Sequence, residues 1–103
     1  MREKIVQILP SSIKGKKYTA IVADRETGAA RRIHFGAVGY QQYADSTGLG
    51  KYTSHDHRTA ARRRGYFSRH SAGITGKAAA IRHEVAKSGG RYNAKILSHQ
   101  YLW

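Results

Sequence analysis

Three short runs within residues 1–36 constrain the fold more than any other feature of the chain. Residues 5–9 form an apolar run that ends at Pro10. Residues 16–23 and 31–35 alternate apolar and polar side chains with the two-residue period of a half-buried strand. Because short polar connections join the runs, consecutive strands can pair in antiparallel order. The sequence therefore predicts a three-stranded antiparallel meander.

Helical patterns follow the meander. Residues 77–87 come after Thr75, a candidate N-cap, and Asn93 is a candidate N-cap for a last helix. Tyr40 and Tyr43 are three residues apart, which is also compatible with one helical turn. The predicted helix at 77–87 would bury an apolar stripe made of Ala78, Ile81 and Val85.

These patterns define the fold class. A lone meander cannot bury both of its faces, so helices must cover it. We predict an α+β chain, in which a small three-stranded antiparallel meander is followed by two or three helices packed on it. We expect one domain over residues 1–103, with the meander in 1–36 and the helical part in 54–103. No apolar run approaches the roughly 18 residues of a transmembrane helix, so no membrane span is expected.

The most basic stretch, residues 55–70, reads as an additional Arg-rich helix. At the helical period, one of its faces would carry Arg58, Arg62, Tyr66 and Arg69. No carboxylate follows Asp56 until Glu84, whereas an ordinary solvated helix mixes charges of both signs. The sequence therefore predicts a site for an anion or an acidic partner, formed by Arg58, Arg62, Arg63, Arg64, Tyr66 and Arg69.

The overall charge agrees with such a site. Nineteen Lys and Arg against six Asp and Glu give a formal net charge of +13. A field of this sign attracts polyanions, so nucleic acid, an acidic protein surface and anionic lipid all remain open as partners. Cysteine is absent, which excludes disulfides and cysteine-ligated metals.

The stretch His55-Asp56-His57 invites a catalytic or metal-binding interpretation, because a carboxylate can orient an imidazole. Metal-dependent phosphoryl chemistry usually needs several carboxylates, and none of the others stands in a recognisable spacing with this cluster. We therefore favour helix capping by His55 and Asp56, and expect no catalytic residue, metal or cofactor. His83 and His99 are predicted to lie on helix surfaces.

The last three residues, Tyr101-Leu102-Trp103, are a candidate anchor. A Trp is costly to leave in water, so it should be buried either in the core or in a neighbouring subunit. We favour the core, because Ile96 and Leu97 already turn the preceding helix inward and the sheet needs a cover.

The order and spacing of several motifs resemble a family of short, uncharacterised basic proteins encoded by large double-stranded DNA viruses and some phages. The pattern is His-Phe-Gly-x-x-Gly-Tyr at 34–40, Tyr-Thr-x-His-x-x-Arg at 52–58 and the Arg-His pair at 69–70. The resemblance covers most of the chain and implies a viral origin. It implies no established activity.

Two functions follow as hypotheses. The first is a non-enzymatic structural component of a virus particle, a minor capsid or capsid-associated protein that binds the major coat protein and the packaged DNA. Such a protein would be made in the host cytoplasm and reside in the virion. The alternative is a sequence-nonspecific nucleic-acid-binding protein that uses the Arg-rich helix, because the chain carries no signature of a base-reading motif.

Overall fold

The computed structural model describes residues 1–103, and about the first third of the chain forms the predicted sheet. The strands are β1 (Glu3–Pro10), β2 (Lys16–Asp24) and β3 (Ala30–Ala37), paired antiparallel in the order β1-β2-β3. The Asp24 carboxylate accepts the backbone N–H groups of Glu26 and Thr27 at 2.8 and 2.9 Å, which closes the turn between β2 and β3. The three-stranded meander is confirmed.

Three helices follow the sheet: α1 (Ala60–His70), α2 (Lys77–Lys87) and α3 (Ala94–Tyr101). The side chain of Asn93 accepts the Ile96 N–H at 2.8 Å, so the predicted N-cap of α3 is confirmed. At α2 the predicted cap is wrong, because Gly76 rather than Thr75 occupies the N-cap position and no side chain caps the helix. The α+β class with helices after the meander is confirmed. None of these helices is long and apolar enough to cross a membrane.

The main core lies between one face of the sheet and α3. Tyr18, Ala20 and Val22 of β2 are fully buried, as their alternation predicts. They pack with Ile33 and Phe35 of β3 and with side chains from the end of the chain, chiefly Leu97 and Leu102. A smaller core between α1 and α2 contains Tyr66, Phe67 and Ala80. Trp103 packs against both cores and so joins the sheet layer to the α1–α2 pair.

Glu3 fixes the segment before α3 to the sheet. Arg31 donates two hydrogen bonds to its carboxylate, both at 2.8 Å, and the Tyr92 N–H donates a third at 2.7 Å. The hydrogen bond from Arg31 is the main reason that the pKa of Glu3 lies below its usual value. The ion pair and the hydrogen bond from Tyr92 therefore hold the start of β1 against β3 and against the segment before α3.

Two local predictions are wrong. Residues 38–44 form a turn and extended chain rather than a helical turn, and Tyr40 is 72% exposed. On α2, Ala78 is exposed, and the residues that point inward are Ala80 and Glu84, with Ile81 and Val85 half-buried. The inward face of α2 includes the buried carboxylate of Glu84. It therefore differs from the face predicted from apolar residues alone.

Candidate functional site

The Arg-rich segment is helical only from Ala60, and this changes the predicted basic face. Arg58 lies before the helix with a left-handed backbone (φ 52°), and its guanidinium is 3.9 Å from Asp56. The Asp56 carboxylate accepts hydrogen bonds from the Gln42 side chain and the Asp45 N–H, at 2.8 and 2.9 Å. Asp56 is therefore engaged with a distant loop, and the predicted capping of the helix by His55 and Asp56 is wrong.

Within α1 the arginines point in different directions. Arg62 and Arg69, seven residues apart, lie on the same side of the helix and line a common groove. Arg63 packs over the ring of Tyr43, with its guanidinium carbon 4.2 Å from the ring centroid. Arg64 is exposed about 200° around the helix from Arg62. Tyr66 is buried, so the face predicted from Arg58, Arg62, Tyr66 and Arg69 contributes only two of its arginines to one open surface.

The groove lies between α1, α3 and the end of the sheet where β2 begins and β3 ends, and its volume is about 580 Å³. The Lys, Arg and His side chains that line it come from several elements. They are Lys16, Lys17, Arg62, Arg69, His70 and Lys95. No carboxylate lines it. Because charges of one sign in a concave site reinforce each other, we call this feature the basic groove and treat it as the candidate site.

Aromatic and apolar side chains form the wall and rim of the basic groove. Trp103 stacks on Tyr66 with ring centroids 4.2 Å apart and planes only 3° apart, and His57 packs nearby at 5.2 Å from Trp103. Phe35 and Leu102 supply apolar lining. Tyr40, on the rim, is the most exposed large hydrophobic side chain of the chain. The groove therefore offers an apolar surface beside its positive charges.

Lys17 holds the rim in place from below. Only 2% of this residue is exposed, and its ammonium donates to the Tyr40 carbonyl at 2.7 Å and to the Gln42 side chain. Burial lowers the pKa of Lys17, while the nearby carboxylates Asp45 and Asp56 act in the opposite direction. Two of its three donors are used within the chain and the residue is buried, so Lys17 positions Tyr40 rather than offering a free cation.

Gly36 allows the groove wall to pack closely. Its φ is +79°, and a Cβ at this position would lie 2.9 Å from Leu102 Cδ1 and 3.1 Å from Lys17 Cβ. A side chain here would collide with the wall and would strain the backbone. Gly36 therefore belongs to the architecture of the basic groove.

A buried polar network ties the three helices together behind the groove. Tyr66 Oη is 2.9 Å from His99 Nδ1, Ser71 Oγ is 2.7 Å from His99 Nε2, and Ser71 Oγ donates to Glu84 at 3.1 Å. Ser71, Glu84 and His99 are each at most 3% exposed. The prediction that His99 lies on a helix surface is wrong, because its partners come from α1, α2 and the residue after α1.

This network does not have the contact order of a catalytic triad, in which a base contacts the nucleophile and an acid orients the base. In such a triad the carboxylate holds the histidine, whereas here Glu84 accepts from Ser71, and His99 Nδ1 is taken by Tyr66. Burial lowers the pKa of His99 to about 4, although Glu84 raises it. For Tyr66, burial raises the pKa, so the phenol stays protonated. The network is suited to holding helices in place.

The His55-Asp56-His57 stretch does not assemble a metal-binding cluster. The chain brings no group of three His, Asp or Glu side chains close enough to hold an ion. His57 Nδ1 accepts the Thr59 N–H at 2.9 Å, and its buried Nε2 has no partner. Burial lowers the pKa of His57, and Arg62 adds to this effect. Because Nδ1 accepts, the neutral imidazole carries its proton on Nε2, and this buried N–H lies beside Trp103 without a hydrogen-bond partner.

Sequence reasoning missed three contributors to the groove: Lys16, Tyr40 and Lys95. Lys16 pairs with Ala37 at the end of the sheet, and Lys95 lies on the first turn of α3. No local sequence pattern identifies these residues, because they become neighbours of α1 only when the helices pack on the sheet. The isolated aromatic Tyr40 after Gly39 was the one available signal, and it was interpreted as helical.

The fold and site define a class: a small α+β domain with a three-stranded sheet, three covering helices and a basic, aromatic-rimmed groove. The chain belongs to a family described as a family of unknown function (DUF5754), whose family model matches residues 6–70. The matched region contains the last five of the eight residues of β1, both other strands and α1. No curated protein and no solved structure is significantly similar to the chain.

Proposed function

We propose that this protein is a non-enzymatic nucleic-acid-binding domain that uses the basic groove and binds without sequence preference. The observation that carries the proposal is the lining of the groove. Arg62, Arg69 and Lys16 meet there, and no Asp or Glu side chain lines the groove. Lys95 also lines it, with its ammonium 3.5 Å from the buried Glu84 carboxylate. Phosphates neutralised by such side chains release counterions, which is the main source of sequence-independent affinity.

The positions of the acidic residues strengthen the proposal. Five of the six Asp and Glu carboxylates accept hydrogen bonds or form ion pairs within the chain: Glu3, Asp24, Asp45, Asp56 and Glu84. Asp24 and the sixth, Glu26, lie at the β2–β3 turn, at the opposite end of the sheet from Lys16 and Ala37. The positive field at the groove is therefore left for an external partner to neutralise.

Lack of sequence preference follows from the chemistry of the lining. Lysine and arginine side chains on a groove wall reach phosphates, which carry no base information. Arg62 is the only groove arginine with a side-chain partner, Gln41 at 2.9 Å, and that bond is exposed. We expect oligonucleotides of equal length and different sequence to compete almost equally.

The test compares two triple variants that each remove three positive charges. The groove variant carries Lys16→Gln, Arg62→Gln and Arg69→Gln, and the control carries the exposed Lys4→Gln, Arg64→Gln and Arg82→Gln. Fluorescence anisotropy with labelled mixed-sequence oligonucleotides should show at least a tenfold loss of affinity for the groove variant and a much smaller loss for the control. Equal losses would mean that only net charge matters, and failure of the parent to bind would reject the proposal.

A second candidate function is a minor structural component of a virus particle that contacts the major coat protein. It rests on the viral resemblance together with exposed apolar side chains at one end of the sheet. Ile13 and Val38 are 47% and 46% exposed, and the Val38 N–H donates to the Gly15 carbonyl at 2.9 Å, so the two turns lie side by side. Such a patch, next to Tyr40, suits a protein partner.

Protein analysis of purified, nuclease-treated particles tests this second candidate. Recovery in fixed proportion to the coat protein is expected if the chain is built into the virion after synthesis in the host cytoplasm. Loss of the chain during nuclease treatment would leave binding to nucleic acid as its means of entering particles. Absence from untreated particles would reject the structural role.

A further inference from the structure

We propose that the basic groove holds unpaired nucleotides of a single strand, with a base stacked on Tyr40 and the adjoining phosphates against Arg62, Arg69 and Lys16. The inference rests on the proposed nucleic-acid function and specifies which form of nucleic acid is bound. Three observations carry it: the size of the groove, the exposure of Tyr40, and Arg62, which lines the same groove and is hydrogen-bonded to Gln41, the residue after Tyr40.

The size of the groove favours a single strand. A volume of about 580 Å³ lies within the usual range of sites that enclose small ligands, about 300 to 1,000 Å³. That volume equals a cube about 8 Å on a side, which is smaller than the width of the major groove of duplex DNA alone, about 12 Å. A duplex can therefore rest across the rim of the basic groove, but it cannot enter. A single strand can follow the wall formed by α1 and α3.

Tyr40 is placed as a stacking platform. The residue is 72% exposed, so its ring is largely uncovered by the protein. Its backbone is nevertheless fixed, because its carbonyl accepts from the buried Lys17 ammonium at 2.7 Å and its N–H donates to the Ala37 carbonyl at 3.3 Å. A ring on a fixed backbone loses little freedom when a base stacks on it. Only an unpaired base exposes a face for this contact.

A cation lines the same groove as the platform. Arg62 donates to the side chain of Gln41, the residue after Tyr40, at 2.9 Å. Arg62 and Tyr40 both line the groove, so the guanidinium can meet a phosphate of the strand whose base stacks on Tyr40. The half-buried Trp103 offers apolar contact to a further base. Alternating stacking surfaces and cations are typical of proteins that bind single strands without sequence preference.

The charge alone would also suit an acidic peptide. A flexible acidic peptide, however, has no use for an exposed, backbone-fixed aromatic ring in a groove lined by cations, whereas a nucleotide satisfies both features with one unit. The two partners respond differently to loss of the ring, so the Tyr40 side chain decides between them.

The experiment measures binding of single-stranded and duplex DNA of the same sequence and length by the full chain. Its variants are Tyr40→Ala, Tyr40→Phe and, as a control at an exposed apolar residue outside the groove, Leu49→Ala. We expect Tyr40→Ala to weaken single-strand binding about five- to hundredfold, the usual loss for one stacked base, and to leave duplex binding unchanged. Tyr40→Phe and Leu49→Ala should bind as the parent does.

The outcomes separate this inference from the proposed function. If the parent binds neither form, both fail. If it binds the duplex as tightly as the single strand and Tyr40→Ala changes neither, the groove does not hold unpaired bases, although nucleic-acid binding stands. Polyglutamate serves as an acidic-peptide probe: a loss of its binding in Tyr40→Ala as large as the loss for DNA would also overturn the inference. Tyr40 is exposed, and far-ultraviolet circular dichroism checks that each variant is folded.

Discussion

At the residue scale, the hydrogen positions around His99 follow from its neighbours. Glu84 is a carboxylate, so the Ser71 hydroxyl donates to it and must accept from His99 Nε2–H. His99 Nδ1 is then an acceptor, and the Tyr66 hydroxyl donates to it. Every group in this buried chain is satisfied while His99 is neutral. A second proton on His99 would force the Tyr66 hydroxyl to reverse its hydrogen bond and would place a cation in the core.

We therefore predict that acid destabilises the protein through His99. Its pKa falls from 6.5 to about 4 on folding, so its contribution is complete above pH 6.5 and is lost as the pH falls toward 4. The difference corresponds to about 3 kcal/mol. His99→Gln, which is neutral and keeps a donor and an acceptor, should be less stable than the parent at pH 7 but should lose less stability by pH 4. Urea unfolding at pH 7, 5.5 and 4 measures both changes.

Glu84 contributes to the same acid sensitivity, but at lower pH. Burial raises its pKa, yet the Ser71 hydrogen bond and the charge of Lys95 outweigh burial, and the pKa lies below its usual value of 4.5. Its stabilising effect is thus present above pH 4.5 and is lost below it. The interval from pH 6.5 to 4.5 reports mainly on histidines. Parallel pH profiles for the parent and His99→Gln across that interval would contradict the role given to His99.

The sequence could not disclose these residue-level contacts. His99 is flanked by polar neighbours on α3, so its local pattern resembles a surface position, and its two hydrogen-bond partners, Tyr66 and Ser71, lie 33 and 28 residues away. Asp56 was misinterpreted for the same reason. It precedes a helix as a capping residue would, but Gln42 and Asp45 occupy its oxygens. The hydrogen-bond partners of a polar side chain depend on the tertiary structure, which the periodicity of the sequence does not encode.

At the element scale, local patterns were sufficient for most boundaries. The alternation of Tyr18, Ala20 and Val22 placed β2, and α2 spans the residues that were predicted. Helix α1 begins five residues later than expected, at Ala60 rather than residue 55, because Gln42 N–H and C=O bond to the backbone of His55 and His57. Those bonds hold the approach to α1 in an extended form. A long-range backbone contact therefore overrode the helical propensity of the segment.

The segment after α3 closes the domain. The Leu102 carbonyl accepts from the N–H groups of Tyr43 and Ala44 at 3.0 and 3.1 Å, and the Tyr101 carbonyl accepts from Ser46. Leu102 itself is 2% exposed in the main core. Of the predicted anchor residues, Leu102 thus lies in the core of this chain, while Tyr101 and Trp103 are half-buried against it.

We predict that Leu102→Ala lowers the free energy of unfolding by about 2–5 kcal/mol, since it removes buried methyl groups and leaves a cavity beside Gly36. For a domain of this size, that is a large share of a total of about 5–15 kcal/mol. The matched control is Leu49→Ala, at a residue that is 42% exposed, which should change stability by no more than about 0.5 kcal/mol. Urea unfolding curves give both values. Equal effects of the two substitutions would place Leu102 outside the core.

At the scale of the whole molecule, the fold concentrates positive charge at one site by engaging its acids elsewhere. Glu3 binds Arg31, Glu84 lies near Lys95, and Asp56 is held by Gln42. The net charge of +13 predicts an anionic partner, but not the location of its binding site. The location depends on how α1 and α3 meet the end of the sheet, and no local pattern contains that information.

The last prediction concerns salt, because binding dominated by phosphates must weaken as salt rises. The basic groove offers about three usable cations, Lys16, Arg62 and Arg69, since Lys17 and Lys95 are engaged internally. For a single strand the slope of log K against log salt is about −0.7 per neutralised phosphate, so a slope of about −2 is expected. The groove variant, which lacks these three charges, should show a slope near zero, and the control triple variant should keep about −2. Anisotropy titrations between 50 and about 300 mM salt measure the slopes. A parent slope near zero, or the same slope for both triple variants, would show that the groove cations do not contact phosphates.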